Sequence, residues 1–142
     1  MEVGAIMSKR LASVGPRDTL VKVARLMKEE DVGCVLILDE HRKPVGIVTD
    51  RDVIVRGLAL GRNPETEAVE AVMTKSPFTT TASEPVMLAA RRMADLLVRR
   101  LPVVDEEGRA IGLVSVDDLL TILITELSNA AAAIVGSSKL VR

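Results

Sequence analysis

Aromatic residues are almost absent from this sequence of 142 residues, in which Phe78 is the only one and there is no tryptophan or tyrosine. Proteins that bind single-stranded nucleic acid stack the bases on aromatic side chains, so this class of function is disfavoured. Hydrophobic residues still make up 48% of the chain, and the core that they form must be aliphatic. A flat ligand is therefore expected to lie between Val, Ile and Leu side chains and not against a ring.

Cysteine and histidine each occur once, as Cys34 and His41. A single cysteine forms no internal disulfide and suits a reducing compartment, so we expect a cytoplasmic protein. The count excludes a Cys/His metal cluster, and the placement of Cys34 in an apolar segment and His41 in a charged turn disfavours a catalytic pair. No carboxylate pair has a neighbour suited to tune it for acid–base chemistry. We predict no metal site, no required cofactor and no enzyme activity.

Neither a charge excess nor a long apolar run is apparent. The net charge is −1, from 19 basic and 20 acidic residues, which gives no field to attract nucleic acid or an anionic membrane. The most apolar stretch, Leu119–Leu127, contains Glu126 and is far shorter than the ~20 residues of a membrane span. The first seven residues do not resemble a secretory signal. We expect no direct nucleic-acid contact and no membrane association.

What the sequence does contain is an internal repeat at an offset of 66 positions. The alignment runs without a gap from Ala5 and Ala71 to Ile54 and Leu120, and twelve of the fifty aligned pairs are identical. A match at one fixed offset over this length indicates duplication. With only two copies, it predicts two halves related by a pseudo-twofold axis and not an open solenoid.

Each repeat has the hydrophobic pattern of a β-α-β-β-α unit. Apolar positions of the first helix follow the i, i+3, i+4, i+7 spacing of one buried face, and two apolar runs around a polar turn predict a hairpin. A second helix is expected to begin near Asp50 and near Val116. The predicted strands are Ser13–Gly15, Cys34–Leu38 and Val45–Val48 in the first repeat, and Thr79–Thr81, Leu101–Val104 and Ile111–Val114 in the second.

The boundaries follow from helix-start and breaker residues. Asp18 is expected to cap the first helix, and Ser83 with Pro85 to begin its counterpart. We place the first domain at residues 5–62 and the second at residues 71–128, because Gly61, Asn63 and Pro64 interrupt any helix between them. Residues 129–142 form a tail whose four consecutive alanines are expected to extend the last helix until it frays near residues 136–138. The tail is either a packing arm or disordered.

The sharpest local motif closes each hairpin and reads Gly-apolar-Val-hydroxyl-x-x-Asp. Thr49 with Asp52, and Ser115 with Asp118, are almost capping boxes that would satisfy the first amides of a helix. The same carboxylate can instead accept hydrogen bonds from vicinal ribose hydroxyls, with a phosphate near the helix N-terminus. A glycine inside each strand favours the ligand-binding reading, because such glycines often mark a close approach.

These features together resemble a cystathionine-β-synthase (CBS) domain pair, or Bateman module. The resemblance rests on the duplication, the order of elements, the Ala-x-x-Met of each first helix, the Leu101-Pro-Val-Val-Asp105 strand, the similar starts Ile6-Met7-Ser8 and Val72-Met73-Thr74, and both motif ends. It implies an α+β fold of two repeats packed sheet to sheet about a pseudo-twofold axis. It also implies two clefts that hold AMP, ADP, ATP, NAD or S-adenosylmethionine.

Carried over position by position, the resemblance assigns ribose and phosphate contacts to the two motifs. Basic residues before the Leu-Pro strand hold phosphate in the family, and here they are Arg99 and Arg100, although they also fit an ordinary solvated pair. The first repeat has Gly33 and Cys34 at these positions, so the two clefts are expected to differ in phosphate affinity. Adenine is expected beside the first short strand. The predicted ligand-binding residues are Thr49, Asp52, Ser115, Asp118, Arg99, Arg100, Thr80 and Thr81.

The leading functional hypothesis is a regulatory module that binds an adenosine-type ligand and transmits occupancy to a partner or a dimer mate. A homodimer is expected from the resemblance, and a regulated enzyme or transporter is a further possible partner. The alternative is a ligand-free module for dimerisation or docking, with its clefts filled by its own side chains.

Overall fold

The computed structural model describes residues 1–140, with side chains described for residues 1–137. The elements are β1 (Ser13–Val14), α1 (Leu20–Glu30), β2 (Cys34–Leu38), β3 (Pro44–Thr49), α2 (Asp50–Asp52), β4 (Thr74–Lys75), β5 (Thr80–Thr81), α3 (Val86–Leu96), β6 (Arg100–Val104), β7 (Ala110–Ser115) and α4 (Val116–Leu140). Helix α2 continues as a π-helical turn, Val53–Gly57, and a 3-10 turn, Leu58–Leu60. The predicted order β-α-β-β-α is confirmed in both repeats.

The two repeats form separate sheets with matching topology. In each sheet the first short strand runs parallel to the hairpin, so that β1 pairs with β2 and β5 with β6, and the hairpins β2–β3 and β6–β7 are antiparallel. A mixed cluster joins the sheets: Leu36 and Leu38 of the first repeat pack with Ala110 and Leu113 of the second. The predicted α+β fold, packed sheet to sheet, is confirmed.

The starts of the first helices differ by one residue from the prediction. Thr19, not Asp18, is the N-cap of α1, and its hydroxyl accepts a hydrogen bond from the Lys22 amide at 3.3 Å. Asp18 instead accepts the Gly15 amide at 2.7 Å and the Lys22 ammonium at 3.0 Å, so it orders the turn before the helix. Pro85 precedes α3 without a side-chain cap, and Ser83 caps nothing there.

The lead segment of each repeat, residues 1–8 and residues 67–74, packs on the opposite repeat. Val3 is fully buried in the core of the second repeat, whereas Val69 and Val72 are fully buried in the core of the first. The exchange is fixed by backbone hydrogen bonds, among them Val3 N–H to the Glu84 carbonyl at 2.9 Å. Strand β4 joins the first sheet for the same reason, and a bridge between Ser8 and Leu113 takes the equivalent place in the second.

This exchange explains the glycine inside each second hairpin strand. A Cβ at Gly46 would lie 2.2 Å from Met73 Sδ, and a Cβ at Gly112 would lie 2.5 Å from Met7 Sδ and 3.0 Å from the Ser8 carbonyl oxygen. Any side chain at either glycine would therefore collide with the exchanged methionine. The expectation that these glycines make room for a ligand is wrong, because a lead segment fills the space.

Helix α4 extends beyond the apolar stretch Leu119–Leu127, and the prediction that the alanine tail extends the last helix is confirmed. It continues without a break through the alanines and Gly136 to Leu140, so the predicted fraying near residue 136 is wrong, while residues 141–142 of the predicted tail lie outside the described residues. By length and composition alone, the segment Val116–Ser137 could cross a membrane. The expectation that the chain has no apolar segment long enough for a membrane span is therefore wrong. The first turn nevertheless belongs to the domain, since Val116 and Leu119 pack in the core of the second repeat.

Candidate functional site

Two clefts lie between the repeats. The Ser115 cleft has a volume of about 230 Å³, and the Thr49 cleft about 430 Å³. The Ser115 cleft is lined by Ser8, Arg10, Leu11, Ala12, Val32, Gly33, Cys34, Leu36, Arg100, Leu113, Ser115, Asp117 and Asp118. The Thr49 cleft is lined by Ile47, Thr49, Thr74, Lys75, Ser76, Pro77, Phe78, Val98, Arg99 and Arg100.

The two clefts are pseudo-twofold equivalents. Every residue lining the Thr49 cleft except Lys75 has its partner, offset by 66 positions, among the residues lining the Ser115 cleft. Each cleft combines the closing motif of one repeat with the helix–strand junction of the other. Thus Ser115 faces Gly33 and Cys34, whereas Thr49 faces Arg99 and Arg100. A ligand in either cleft would contact both repeats.

Both motifs form capping boxes. The Thr49 amide donates to Asp52 Oδ2 at 2.9 Å, while the Asp52 amide donates to Thr49 Oγ1 at 3.2 Å. The second motif has the same bonds, at 2.8 Å and 3.2 Å, and the Ser115 hydroxyl also donates to Asp118 Oδ2 at 3.0 Å. The capping interpretation is therefore confirmed, and one oxygen of each aspartate is committed to the helix start.

The second carboxylate oxygen distinguishes the two motifs. Asp52 Oδ1 lies 3.7 Å from Arg56 Nε, and Asp52 is not among the residues that line the Thr49 cleft. Asp118 lines its cleft, and its Oδ1 has no hydrogen-bond partner among the described residues. A ribose hydroxyl would thus meet a free acceptor at Asp118, whereas at Asp52 it would have to displace an arginine.

Three cations converge on the Thr49 cleft. Lys75, Arg99 and Arg100 all line it, and none of the three makes an ion pair or a side-chain hydrogen bond with another described residue. In the Ser115 cleft, Arg10 is instead paired with Glu30, and the carboxylate of Asp117 contributes negative charge. The cleft with Thr49 is the more suitable site for an anionic group, because unpaired cations make charge-assisted hydrogen bonds to phosphate.

The duplicated fold and its paired clefts agree with a family-level match. The model of the CBS domain matches residues 3–58 and again residues 69–125. The chain belongs to the CBS domain family. Its two matches cover most of the sequence and coincide with the two repeats.

The chain is similar to several known proteins, one of them a solved CBS domain pair. The uncharacterized protein MK0525 of Methanopyrus kandleri is 32% identical over 86% of this chain, which spans only 62% of that protein's length. The CBS domain pair of protein MJ0100, solved in complex with 5′-methylthioadenosine and S-adenosyl-L-methionine, aligns with a TM-score of 0.77 and 28% identity over 89% of this chain and 98% of that one. The structure of CBSX2 in complex with AMP aligns with a TM-score of 0.74 and 27% identity, over 87% and 96% of the two chains.

The short strand of the second CBS domain was expected to line a cleft, but it lines neither of the two. Thr80 is buried, and its hydroxyl donates to the carboxylate of Glu84, which also receives the Arg92 guanidinium at 3.0 Å. Neither Thr80 nor Thr81 is among the residues lining the Ser115 or the Thr49 cleft. Their predicted ligand contacts have no support in this geometry, because the polar cluster holds Thr80 inside the domain.

Phe78 is the residue that sequence reasoning overlooked. It is 52% exposed and lines the Thr49 cleft beside Arg99 and Arg100, where the first CBS domain has Ala12. A ring is therefore available to a flat ligand in this cleft, which the composition alone did not lead us to expect. The repeat alignment contains one signal, since the only aromatic residue of the chain stands two residues before a short strand, where the other copy has a small residue.

Cys34 lies in the Ser115 cleft as a mostly buried thiol. Burial raises the pKa of Cys34 to about 11, and the positive charge of Arg100 opposes that rise. A protonated thiol is a weak nucleophile and a small apolar surface, so Cys34 acts here as part of the cleft wall. Within residues 1–140, no group of His, Cys, Asp and Glu side chains is arranged to hold a metal ion.

Proposed function

We propose that this CBS domain pair is a regulatory module, without catalytic activity of its own, that binds adenosine-type ligands in its two clefts. The observation that carries the proposal is the convergence of unpaired Lys75, Arg99 and Arg100 beside Thr49 and the exposed ring of Phe78. The ring offers a face on which a purine can stack, and the three cations can form hydrogen bonds to one or more phosphate groups. AMP, ADP, ATP or NAD are the candidate ligands for this cleft.

The Ser115 cleft is proposed to bind an adenosine-type ligand with less phosphate. Asp118 Oδ1 is a free acceptor for a ribose hydroxyl, and the amides at the N-terminus of α4 border the same cleft. This cleft has only Gly33 and Cys34 at the positions of Arg99 and Arg100. The MJ0100 pair was solved with 5′-methylthioadenosine and S-adenosyl-L-methionine, which are adenosine ligands without phosphate, and this supports a ligand of that kind for one of the clefts.

Occupancy is proposed to act through the packing of the two halves. Each cleft is lined by both repeats, so a bound ligand bridges them and favours one relative placement. A dimer mate, or a regulated enzyme or transporter in the cytoplasm, is the proposed reader of that change. The adenosine ligand is thus a regulatory ligand and not a required cofactor.

A homodimer is proposed from the exposed apolar surface that follows each motif. Ile54 and Leu58 are 57% and 51% exposed, and their repeat equivalents on α4, Leu120 and Ile124, are 49% and 64% exposed. Apolar surfaces of this kind, present in both repeats, suit burial against a second copy. They also favour the alternative function, a module that dimerises without any ligand.

Thermal unfolding with and without ligand separates these two functions. AMP, ATP, NAD and S-adenosylmethionine are each added to the protein, and a ligand at ~100 times its Kd is expected to stabilise it by about 2.7 kcal/mol, or several degrees. The Arg99→Met variant should lose most of the nucleotide-dependent shift, whereas Arg91→Met, an exposed arginine on α3 away from both clefts, should keep it.

Two results would contradict the proposal. No stabilisation by any of the four ligands would leave only the ligand-free module. A ligand shift that is the same in Arg99→Met, and in the double variant Asp52→Asn with Asp118→Asn, would show that the ligand binds elsewhere. Since both aspartates cap helices, the shift of each variant is compared with its own ligand-free melting temperature.

A further inference from the structure

Among the residues that the structure describes, Arg100 is the one that lines both clefts. It is the first residue of β6, is half-buried, and pairs in register with Ser115 of β7. Its repeat equivalent is Cys34, the first residue of β2, which pairs in the same way with Thr49. Arg100 therefore borders the Ser115 cleft through its sheet partner and the Thr49 cleft through its neighbour Arg99.

The guanidinium of Arg100 is uncommitted. It has no ion pair and no hydrogen bond to another described residue. Its positive charge still reaches the Ser115 cleft, because it is the charge that counteracts the effect of burial on the pKa of Cys34. One unpaired cation thus lies within reach of both clefts.

The charges around Arg100 differ between the clefts. In the Ser115 cleft the lining includes the acidic residues Asp117 and Asp118, and the other cation there, Arg10, is already paired with Glu30. In the Thr49 cleft the neighbours of Arg100 are the unpaired cations Lys75 and Arg99. The Ser115 cleft depends on Arg100 for its compensating positive charge, and the Thr49 cleft does not.

We infer that Arg100 couples the two clefts, so that a phosphate bound in the Thr49 cleft weakens the binding of a second phosphorylated ligand in the Ser115 cleft. This inference rests on the proposed function, since it requires that both clefts bind adenosine-type ligands. A phosphate beside Lys75 and Arg99 draws the guanidinium of Arg100 toward it. The Ser115 cleft is then left with two carboxylates and repels an anion, while an uncharged adenosine is not affected.

The test removes the two cations that belong to the Thr49 cleft alone and measures the other cleft. In the variant Lys75→Met with Arg99→Met, AMP no longer fills the Thr49 cleft at the concentrations used, and Arg100 stays with the Ser115 cleft. Titrations followed by amide resonances report the two sites separately, with Gly33 for the Ser115 cleft and Phe78 for the Thr49 cleft. The probe ligands are AMP and adenosine.

The expected result is an AMP affinity at the Gly33 site that rises ~5-fold or more over the wild type, the lower end of ordinary coupling between sites. The rise should be absent with adenosine, and absent when Lys75→Met and Arg99→Met are made in an Arg100→Met background. An unchanged AMP affinity at the Gly33 site, a rise that persists without Arg100, or a wild-type response at Phe78 in the variant would each overturn the inference. AMP binding at neither site in the wild type would instead reject the proposed function itself.

Discussion

Replacing Gly46 by alanine is expected to destabilise the protein by opposing the exchange of lead segments. The new Cβ would lie 2.2 Å from Sδ, 2.9 Å from Cγ and 3.1 Å from Cε of Met73, so the whole end of that side chain must move. Overpacking of this kind destabilises a protein by about 1–3 kcal/mol. Alanine has less conformational freedom than glycine in the unfolded chain, which offsets part of that loss. We expect a net loss of about 1–2 kcal/mol.

Chemical denaturation followed by far-ultraviolet circular dichroism is the suitable assay, because the chain has no tryptophan or tyrosine to report by fluorescence. Gly46→Ala should lower the urea midpoint of the wild type, but it should cost little when it is made in the Met73→Ala background, where the clashing side chain is absent. Gly112→Ala should be rescued less well by Met7→Ala, since its Cβ would also lie 3.0 Å from the Ser8 carbonyl oxygen, which is backbone.

Gly136→Ala is the matched control for this change. Gly136 lies in α4, and a Cβ there would meet no atom within 4 Å, so the same substitution should be neutral or stabilise the helix by up to ~1 kcal/mol. The reasoning is refuted if Gly46→Ala unfolds at the same urea concentration as the wild type. It is equally refuted if Gly46→Ala costs as much in the Met73→Ala background as it does alone.

Three further predictions concern burial and titration. Val3→Ala should reduce the free energy of unfolding by about 1–3 kcal/mol, because Val3 is fully buried. The control Val135→Ala, at a 55% exposed position of α4, should change the free energy of unfolding by less than ~0.5 kcal/mol. Alkylation of Cys34 should be slow near neutral pH and accelerate through the alkaline range up to a pKa of about 11; a rate already constant above neutral pH would contradict this. The hydrogen bond from the Gly15 amide, and after it the Lys22 ammonium, lower the pKa of Asp18 below its ordinary 3.8. The ionised Asp18 therefore stabilises the fold fully above pH 3.8, and this stabilisation is lost as the pH falls through the lowered pKa. Asp18→Asn should make the free energy of unfolding depend less steeply on pH in the acid range.

The order of elements and the two motifs could be predicted because they follow from local patterns. Apolar periodicity fixed the helix face of α1, and the spacing of Thr49 and Asp52 anticipated a capping box that the structure contains. Whether these aspartates also bind ribose remains a prediction. At Asp52 the nearby Arg56 makes that role less direct than the motif alone suggests.

The exchange of lead segments could not be read from the sequence, because the two copies are too alike. Met7 and Met73 are equivalent in the repeat, and either would fit beside either strand glycine. A hydrophobic pattern predicts that a residue is buried, but it does not indicate which of the two cores the residue joins. The continuation of α4 through the alanines could be predicted, because alanine has the highest helix propensity, but the end of the helix was placed too early. Gly136 costs only about 1 kcal/mol inside a helix, and α4 continues past it to Leu140.

The exchanged lead segments also set the order in which this chain can mature on the ribosome. Val3 is synthesised long before the core that receives it, which forms around Leu101 and Val114. The core of the first repeat likewise stays open until Val69 and Val72 have emerged. Neither repeat has a complete core of its own, so we expect the pair to be the smallest unit that folds and that evolution can transfer intact to another protein.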